Sequence, residues 1–157
     1  MGNSLWQQRI VQPVLLLLKQ GLTPEKLALT ISLGIALGTV PVLGSTSISC
    51  ALAAAVLGLN QAAIQGVNYL AYPLQLALLI PFLKLGAVLF GDHGFQLTLG
   101  DIQRLISSGI MNTISTLWTA TMHGIVAWGM VVIPAVTILY FALCPILRLA
   151  AQRQSIS

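Results

Sequence analysis

The chain has 157 residues, of which 57% are hydrophobic and 6% are charged, and its mean hydropathy is +0.92. A soluble globular domain carries roughly 25% charged residues, so the composition excludes that class and predicts an integral membrane protein with a single domain. The net charge of +4 comes from Lys and Arg residues that stand singly at the borders of apolar segments. This spacing argues against a nucleic-acid partner and is typical of membrane-edge anchors.

The first predicted element, residues 1–22, is an amphipathic helix that lies in the membrane interface. Trp6, Ile10 and Val14 fall on one arc of a helical wheel, and Arg9 and Gln12 fall on the other. A polar face of this kind beside an apolar one favours a position along the membrane surface.

A second helix is predicted to begin at Thr23. Thr23 is suited to the N-cap, Pro24 to the first helical position and Glu25 to the first turn. Glu25 is the only glutamate of the chain, and a functional carboxylate is the alternative to this capping role.

The apolar stretch from Leu27 to Leu59 is too long for one membrane crossing. As a single helix it would measure about 50 Å, against a hydrocarbon core of roughly 30 Å. Pro41 divides it into two halves that are each too short to span comfortably. We therefore predict a helix hairpin over residues 24–60, short and antiparallel, that re-enters on the side from which it came; a crossing is the alternative.

The break between the two halves carries Pro41, Gly44 and three hydroxyl residues. Irregular backbone at membrane depth requires cover by protein or a water-filled cavity. Ser45, Thr46 and Ser47 are predicted to cap the second half-helix, whose N-terminal N–H groups would attract an anion. The alternative is that these hydroxyls only satisfy backbone groups at a tight turn.

Small residues mark one face of each half of the hairpin. Gly34 and Gly38 form a G-x-x-x-G pattern, and Ala51, Ala55 and Gly58 give a similar face on the second half. Small faces let helix backbones approach closely, so the two arms are predicted to pack on each other.

The next segment, residues 61–90, is predicted to be a transmembrane helix kinked by Pro73 and Pro81. Its polar side chains Asn68 and Gln75 are candidates to line a pocket, with Lys84 at the entrance. Packing and repair of the kink are the alternative roles for these side chains.

The last part of the chain is predicted to hold an amphipathic helix over 98–122 and a transmembrane helix over 124–147. Arg104 is the cation of the first helix and a candidate contact for a phosphate headgroup, with interfacial anchoring as the alternative. Asp92 and His93 lack the further ligands that a metal site requires, and we expect a solvated turn there. His123 at the mouth of the last span is expected to be an interfacial histidine.

The spacing of several of these residues resembles the pattern of one bacterial family. Gly34, Gly38, Pro41 and Gly44 recur at the family's spacing, "LGLN" ends at Asn60, and "GVNYLAYPLQLALLIPFLKLG" carries Pro73. In this the chain resembles domain-of-unknown-function family 2062. The family commonly has Asn-Pro where this chain has Tyr-Pro, with Asn68 one helical turn earlier.

The resemblance implies a small membrane protein, and some members of the family carry this domain beside a glycosyltransferase that acts on lipid-linked sugars. A glycosyltransferase would therefore be a membrane partner of this chain and not part of it.

Three classes of function follow. An enzyme is disfavoured because the few ionisable residues form no triad, metal spacing or phosphate loop, and no cofactor is expected. The favoured class binds or moves an anionic or polyprenyl-phosphate lipid at the broken helix, and the third is a membrane scaffold. We also expect membrane lipids as partners, a homo-oligomer, and a place in the bacterial inner membrane with both termini in the cytoplasm.

Overall fold

The computed structural model of the protein describes residues 23–91, 100, 107 and 109–155, and within these ranges all regular structure is helical. Four helices follow one another: α1 (Pro24–Gly38), α2 (Thr46–Leu57), α3 (Gln61–Leu89) and α4 (Ile110–Ser155). The predicted interfacial helix over 1–22, the Asp92–His93 pair and Arg104 lie outside the described residues.

Helix α1 begins as its sequence predicts. The side chain of Thr23 accepts a hydrogen bond from the N–H of Lys26, Pro24 occupies the first turn and Glu25 follows it. The helix ends at Gly38, and the backbone N–H of the C-cap residue Thr39 bonds back to the carbonyl of Ala36. Pro41 cannot donate the backbone bond that would continue the helix, so the chain turns here.

Helices α1 and α2 form an antiparallel hairpin. The turn joins them at one end, and at the other Lys26 Nζ donates to the carbonyl oxygen of Gly58 at 3.4 Å. Gly58 ends α2 in the left-handed conformation, with φ of 60°. Cys50 and Ala54 of α2 pack in the hydrophobic core, against leucines of α1 among others.

The small faces do not pack as predicted. Ala55 is exposed, so the packed face of α2 runs through Cys50 and Ala54 instead. The face of Gly34 and Gly38 lies against α3 and not against α2: a Cβ added at Gly34 would be 2.7 Å from Val67, and one added at Gly38 would be 2.9 Å from Ala71. The longer helix α3 offers α1 a continuous partner over both glycines.

Helix α3 occupies nearly the whole predicted segment 61–90. Its N-cap is Asn60, whose side chain accepts a hydrogen bond from the N–H of Ala63 at 2.9 Å. Pro73 and Pro81 lie inside the helix. The "LGLN" sequence thus ends one helix at its glycine and begins the next at its asparagine.

Helix α4 differs from the two elements predicted over 98–122 and 124–147. It runs without interruption through the predicted boundary at residue 123. Gly124 is the nearest residue of low helix propensity, but a single glycine costs only about 1 kcal/mol and does not end a helix. Its later half packs on α1, where Cys144 and Leu147 join Leu27 and Ala28 in one hydrophobic cluster.

Two helices, α3 and the Ile110–Gln152 part of α4, are long and apolar enough to cross a membrane by length and composition. Large apolar side chains cover much of the outer surface of the bundle. Leu70 and Val56 are each 82% exposed, and Phe141 is 68% exposed. Monomeric soluble proteins rarely expose contiguous apolar surface on this scale.

Candidate functional site

The polar side chains of α3 converge on the hairpin turn. Gln75 Nε2 donates to the carbonyl oxygens of Val40 at 2.8 Å and Val42 at 3.5 Å. Gln75 is 1% exposed and is the central residue of α3. These two carbonyls also accept the backbone N–H groups of Val42 and Ser45, so the buried Gln75 amide adds a further donor to each and stabilises the turn. Gln75 therefore binds the turn of the hairpin and not the kinked backbone of its own helix.

A second group of polar contacts surrounds Ser47 in the first turn of α2. Gln65 Nε2 donates to the carbonyl oxygen of Ser47 at 2.8 Å, and Asn68 Nδ2 donates to the Ser47 hydroxyl at 3.3 Å. Asn68 Nδ2 also donates to Gln65 Oε1 at 3.3 Å. The structure thus brings Ser47 and Asn68 together, as the pocket hypothesis requires. Gln65 did not figure in the sequence prediction, although its i, i+3 spacing to Asn68 was a usable signal.

The orientation of the Asn68 amide follows from these contacts. A carbonyl oxygen can only accept, so Gln65 directs its amino group to the Ser47 carbonyl and its oxygen to Asn68. The amino group of Asn68 donates to that oxygen, and Asn68 Oδ1 therefore points into the interior of the bundle. Asn68 is 3% exposed, and among the described residues Oδ1 has no hydrogen-bond partner. A buried, unsatisfied acceptor of this kind is uncommon in native proteins.

The hydroxyl groups of the turn do not all act as predicted. Ser45 is at the N-cap of α2, but within the described residues its side chain makes no capping bond; its hydroxyl donates to the carbonyl of Val42 at 3.0 Å. Its backbone is already helical, with φ of −82° and ψ of −19°, whereas a capping residue is usually extended. Thr46 is buried at 7% exposure. Ser47 is the half-buried residue of the three that contacts α3.

Trp128 of α4 fixes the turn from the other side. Its Nε1 donates to the hydroxyl of Thr39 at 3.3 Å, and that hydroxyl donates in turn to the carbonyl of Ala36 at 2.9 Å. Thr39 is 3% exposed. No sequence pattern singles out either residue, because they are far apart in the chain and their contact depends on how α4 packs.

Lys84 does not join this group. It is exposed, and it lies nine residues beyond Gln75 on the same helix. At 100° per residue the two side chains leave opposite faces of α3. The predicted entrance role of Lys84 is therefore separate from the hairpin turn.

The charged residues of the hairpin lie at its open end. Glu25 Oε1 accepts a hydrogen bond from Arg148 Nε of α4 at 2.7 Å, close to the contact between Lys26 and Gly58. A backbone hydrogen bond in the first helical turn and the Arg148 guanidinium lower the pKa of Glu25 below its ordinary value of 4.5. Glu25 thus combines the predicted capping position with an ion pair that ties α1 to α4.

Comparison with known proteins assigns the chain to a family. A family model described as "Uncharacterized protein conserved in bacteria (DUF2062)" matches residues 7–155, which include the hairpin, its turn and both long helices. No curated protein and no solved structure matches the chain. The match extends over nearly the entire sequence and agrees with the glycine and proline pattern of the hairpin. The chain therefore belongs to the DUF2062 family of bacterial proteins.

Proposed function

We propose that this protein resides in the bacterial inner membrane, where the hairpin of α1 and α2 re-enters from one side and holds an anionic lipid headgroup at the start of α2. The exposed apolar surface of α3 and α4 supports the membrane location, because lipid tails cover such a surface at no cost. The charges at the hairpin's open end suit a cytoplasmic interface, with both termini on that side.

The depth of the hairpin supports re-entry. Its open end is level with the start of α3, since Gly58 contacts Lys26 and α3 begins at Gln61. Its turn contacts Gln75, halfway along a helix of 29 residues that measures about 43 Å. That length matches a bilayer with its headgroups, roughly 40–45 Å. The turn then lies near the bilayer centre.

The membrane depth of the turn is measurable at Leu43, which is 56% exposed at its tip. A spin label on Leu43→Cys, with Cys50 and Cys144 changed to alanine, should be more accessible to oxygen than to a polar nickel complex, as at the bilayer centre. A label on Gln61→Cys in the same background serves as the interfacial reference. If Leu43 instead shows the accessibility of the opposite interface, the hairpin crosses the membrane.

The contact between Asn68 and Ser47 is the observation that carries the ligand proposal. Because Asn68 donates to the Ser47 hydroxyl, the hydroxyl proton is directed elsewhere and is able to donate to an acceptor. Ser47 belongs to the first turn of α2, where backbone N–H groups and the helix dipole favour an anion. Thr46 and Ser45 flank it. A phosphate of a phospholipid or a polyprenyl phosphate has the matching acceptors.

Native mass spectrometry of the protein extracted with its own lipids tests this site. Ser47→Ala should lose a bound anionic lipid that the unchanged protein retains. Ser49→Ala is the matched control, because the Ser49 hydroxyl donates to the carbonyl of Ser45 within the helix. Equal lipid retention by both variants would contradict a headgroup site at Ser47.

The second candidate is a non-catalytic scaffold or accessory subunit for an enzyme of lipid-linked glycans. It is favoured by Gln75 and Ser45, whose polar groups are engaged in holding the turn. A scaffold needs only a rigid hairpin and apolar contact faces, such as Leu52 and Val56 of α2. In the same native mass spectrometry experiment, a protein without bound lipid that retains a glycosyltransferase or a second copy of the chain would favour this candidate.

A further inference from the structure

We infer that this protein is a wedge in the membrane and favours bilayers that are convex on the side of Glu25 and Arg148. The inference rests on the re-entrant arrangement proposed above. It concerns the bilayer curvature that the shape of the whole molecule favours, and it does not involve the site at Ser47.

The wedge follows from the number of helices at each depth. Between the open end of the hairpin and its turn, the bundle contains α1, α2, α3 and α4. The turn meets α3 at Gln75 and α4 at Trp128. Beyond this level the described residues continue only as the rest of α3 and the earlier part of α4, which meet where Gly86 packs against His123.

The difference in cross-section is large relative to the molecule. A helix with its side chains is about 10–12 Å across, so four helices occupy about twice the membrane area of two. α1 and α2 measure about 22 and 18 Å, close to the depth of one leaflet with its headgroups. They therefore displace lipid from one leaflet only, and a bilayer whose leaflet on that side is expanded accommodates them with least strain.

Apolar side chains cover the outer face of the displaced volume. Ile48, Leu52 and Val56 follow one another at one-turn spacing on α2, with exposures of 66%, 62% and 82%. This stripe faces away from the core cluster of Cys50 and Ala54, as a surface in contact with acyl chains does. α2 thus adds its volume within the hydrocarbon of the leaflet and not above it.

The orientation of the protein in vesicles of different diameter tests the inference. A zwitterionic lipid of one composition is used for small sonicated and large extruded vesicles. The variant Gln152→Cys places a cysteine beyond Arg148 on the same end of α4. A membrane-impermeant thiol reagent then labels only the molecules in which this cysteine lies on the outside of the vesicle. Cys50 and Cys144 are buried and provide the unreactive background.

The fraction of molecules with the Arg148 end outward should rise as the vesicles become smaller. A change in the outward-to-inward ratio of about threefold would correspond to a preference of about one RT. The charges of the protein also bias its orientation, but this bias is the same in small and large vesicles. The change in the outward-to-inward ratio between the two diameters therefore does not contain it.

A ratio that does not change with diameter would overturn the wedge. Combined with a central depth for the label at Leu43, that result would reject the wedge and leave the re-entrant hairpin standing. An interfacial depth for Leu43 would reject both. A ratio that falls as vesicles shrink would also overturn the inference, because the wider end would then be the opposite one.

Discussion

Gly86 of α3 lies directly against the backbone of His123 in α4. A Cβ added at Gly86 would be 2.5 Å from the carbonyl carbon of His123 and 2.7 Å from the backbone nitrogen of Gly124. The Phe90 ring stacks on the His123 ring beside this contact, with centroids 4.1 Å apart. The two long helices therefore meet at a backbone contact that only glycine permits.

Gly86→Ala should destabilise the protein, because backbone atoms cannot move aside for the added methyl group. Overpacking of a close contact costs typically about 1–3 kcal/mol. The measurement is the free energy of unfolding in detergent or bicelles. Gly66→Ala is the matched control, since a Cβ there meets no atom within 4 Å, and it should be neutral or slightly stabilising. Equal effects of the two variants would contradict the close approach.

Gln75→Leu should destabilise the hairpin turn. The substitution removes the side-chain donor to the carbonyls of Val40 and Val42, which keep their backbone N–H partners, so the expected cost is the net value of a hydrogen bond, about 0.5–1.5 kcal/mol. Gln61→Leu changes an exposed glutamine of the same helix and should have little effect on the free energy of unfolding. A Gln75→Leu protein as stable as the Gln61→Leu protein would show that the turn does not depend on this amide.

Local signals in the sequence were sufficient to predict where α1 begins and that residues 24–60 divide at Pro41. Thr23 and Pro24 act through neighbours within one helical turn, so their effect is readable without a fold. The length of the apolar stretch is likewise a property of the chain alone. Asn68 and Ser47 were each predicted as candidate site residues, and the structure brings the two side chains into contact.

The remaining features depend on long-range packing. Trp128 contacts Thr39 across 89 positions of sequence, and no periodicity of either segment indicates that partner. The glycine face of α1 was assigned to α2 because α2 carries small residues of its own, whereas α3 provides the longer surface. α4 was divided at residue 123 because hydrophobicity changes there, but hydrophobicity does not set the end of a helix.

Acid should weaken the link between α1 and α4. The pKa of Glu25 lies below its ordinary value of 4.5, so the folded state favours the carboxylate. This contribution to stability is fully present above the ordinary pKa and is lost as pH falls through the lowered one. The thermal midpoint should therefore drop as pH decreases below 4.5.

The variant Glu25→Gln isolates this effect. It removes the titrating group and the ion pair with Arg148, so its thermal midpoint should fall less steeply in the same pH range. Asp92 and Asp101 are the other acidic residues of the chain and are present in both proteins. An unchanged pH dependence in Glu25→Gln would assign the acid sensitivity to those aspartates.

The two cysteines report separately on the hairpin and on α4. Cys50 is 0% exposed in the core between α1 and α2, and Cys144 is 9% exposed where α4 meets α1. Both should resist alkylation in the folded protein and react after unfolding.

Gln75→Leu loosens the turn next to α2, so it should accelerate alkylation of Cys50 by about fivefold or more, the factor that a loss of 1 kcal/mol in local stability gives. Cys144 packs at the other end of the hairpin and should respond less. Equal acceleration at both positions, measured by mass spectrometry of the labelled peptides, would mean that the hairpin opens only when the whole bundle does.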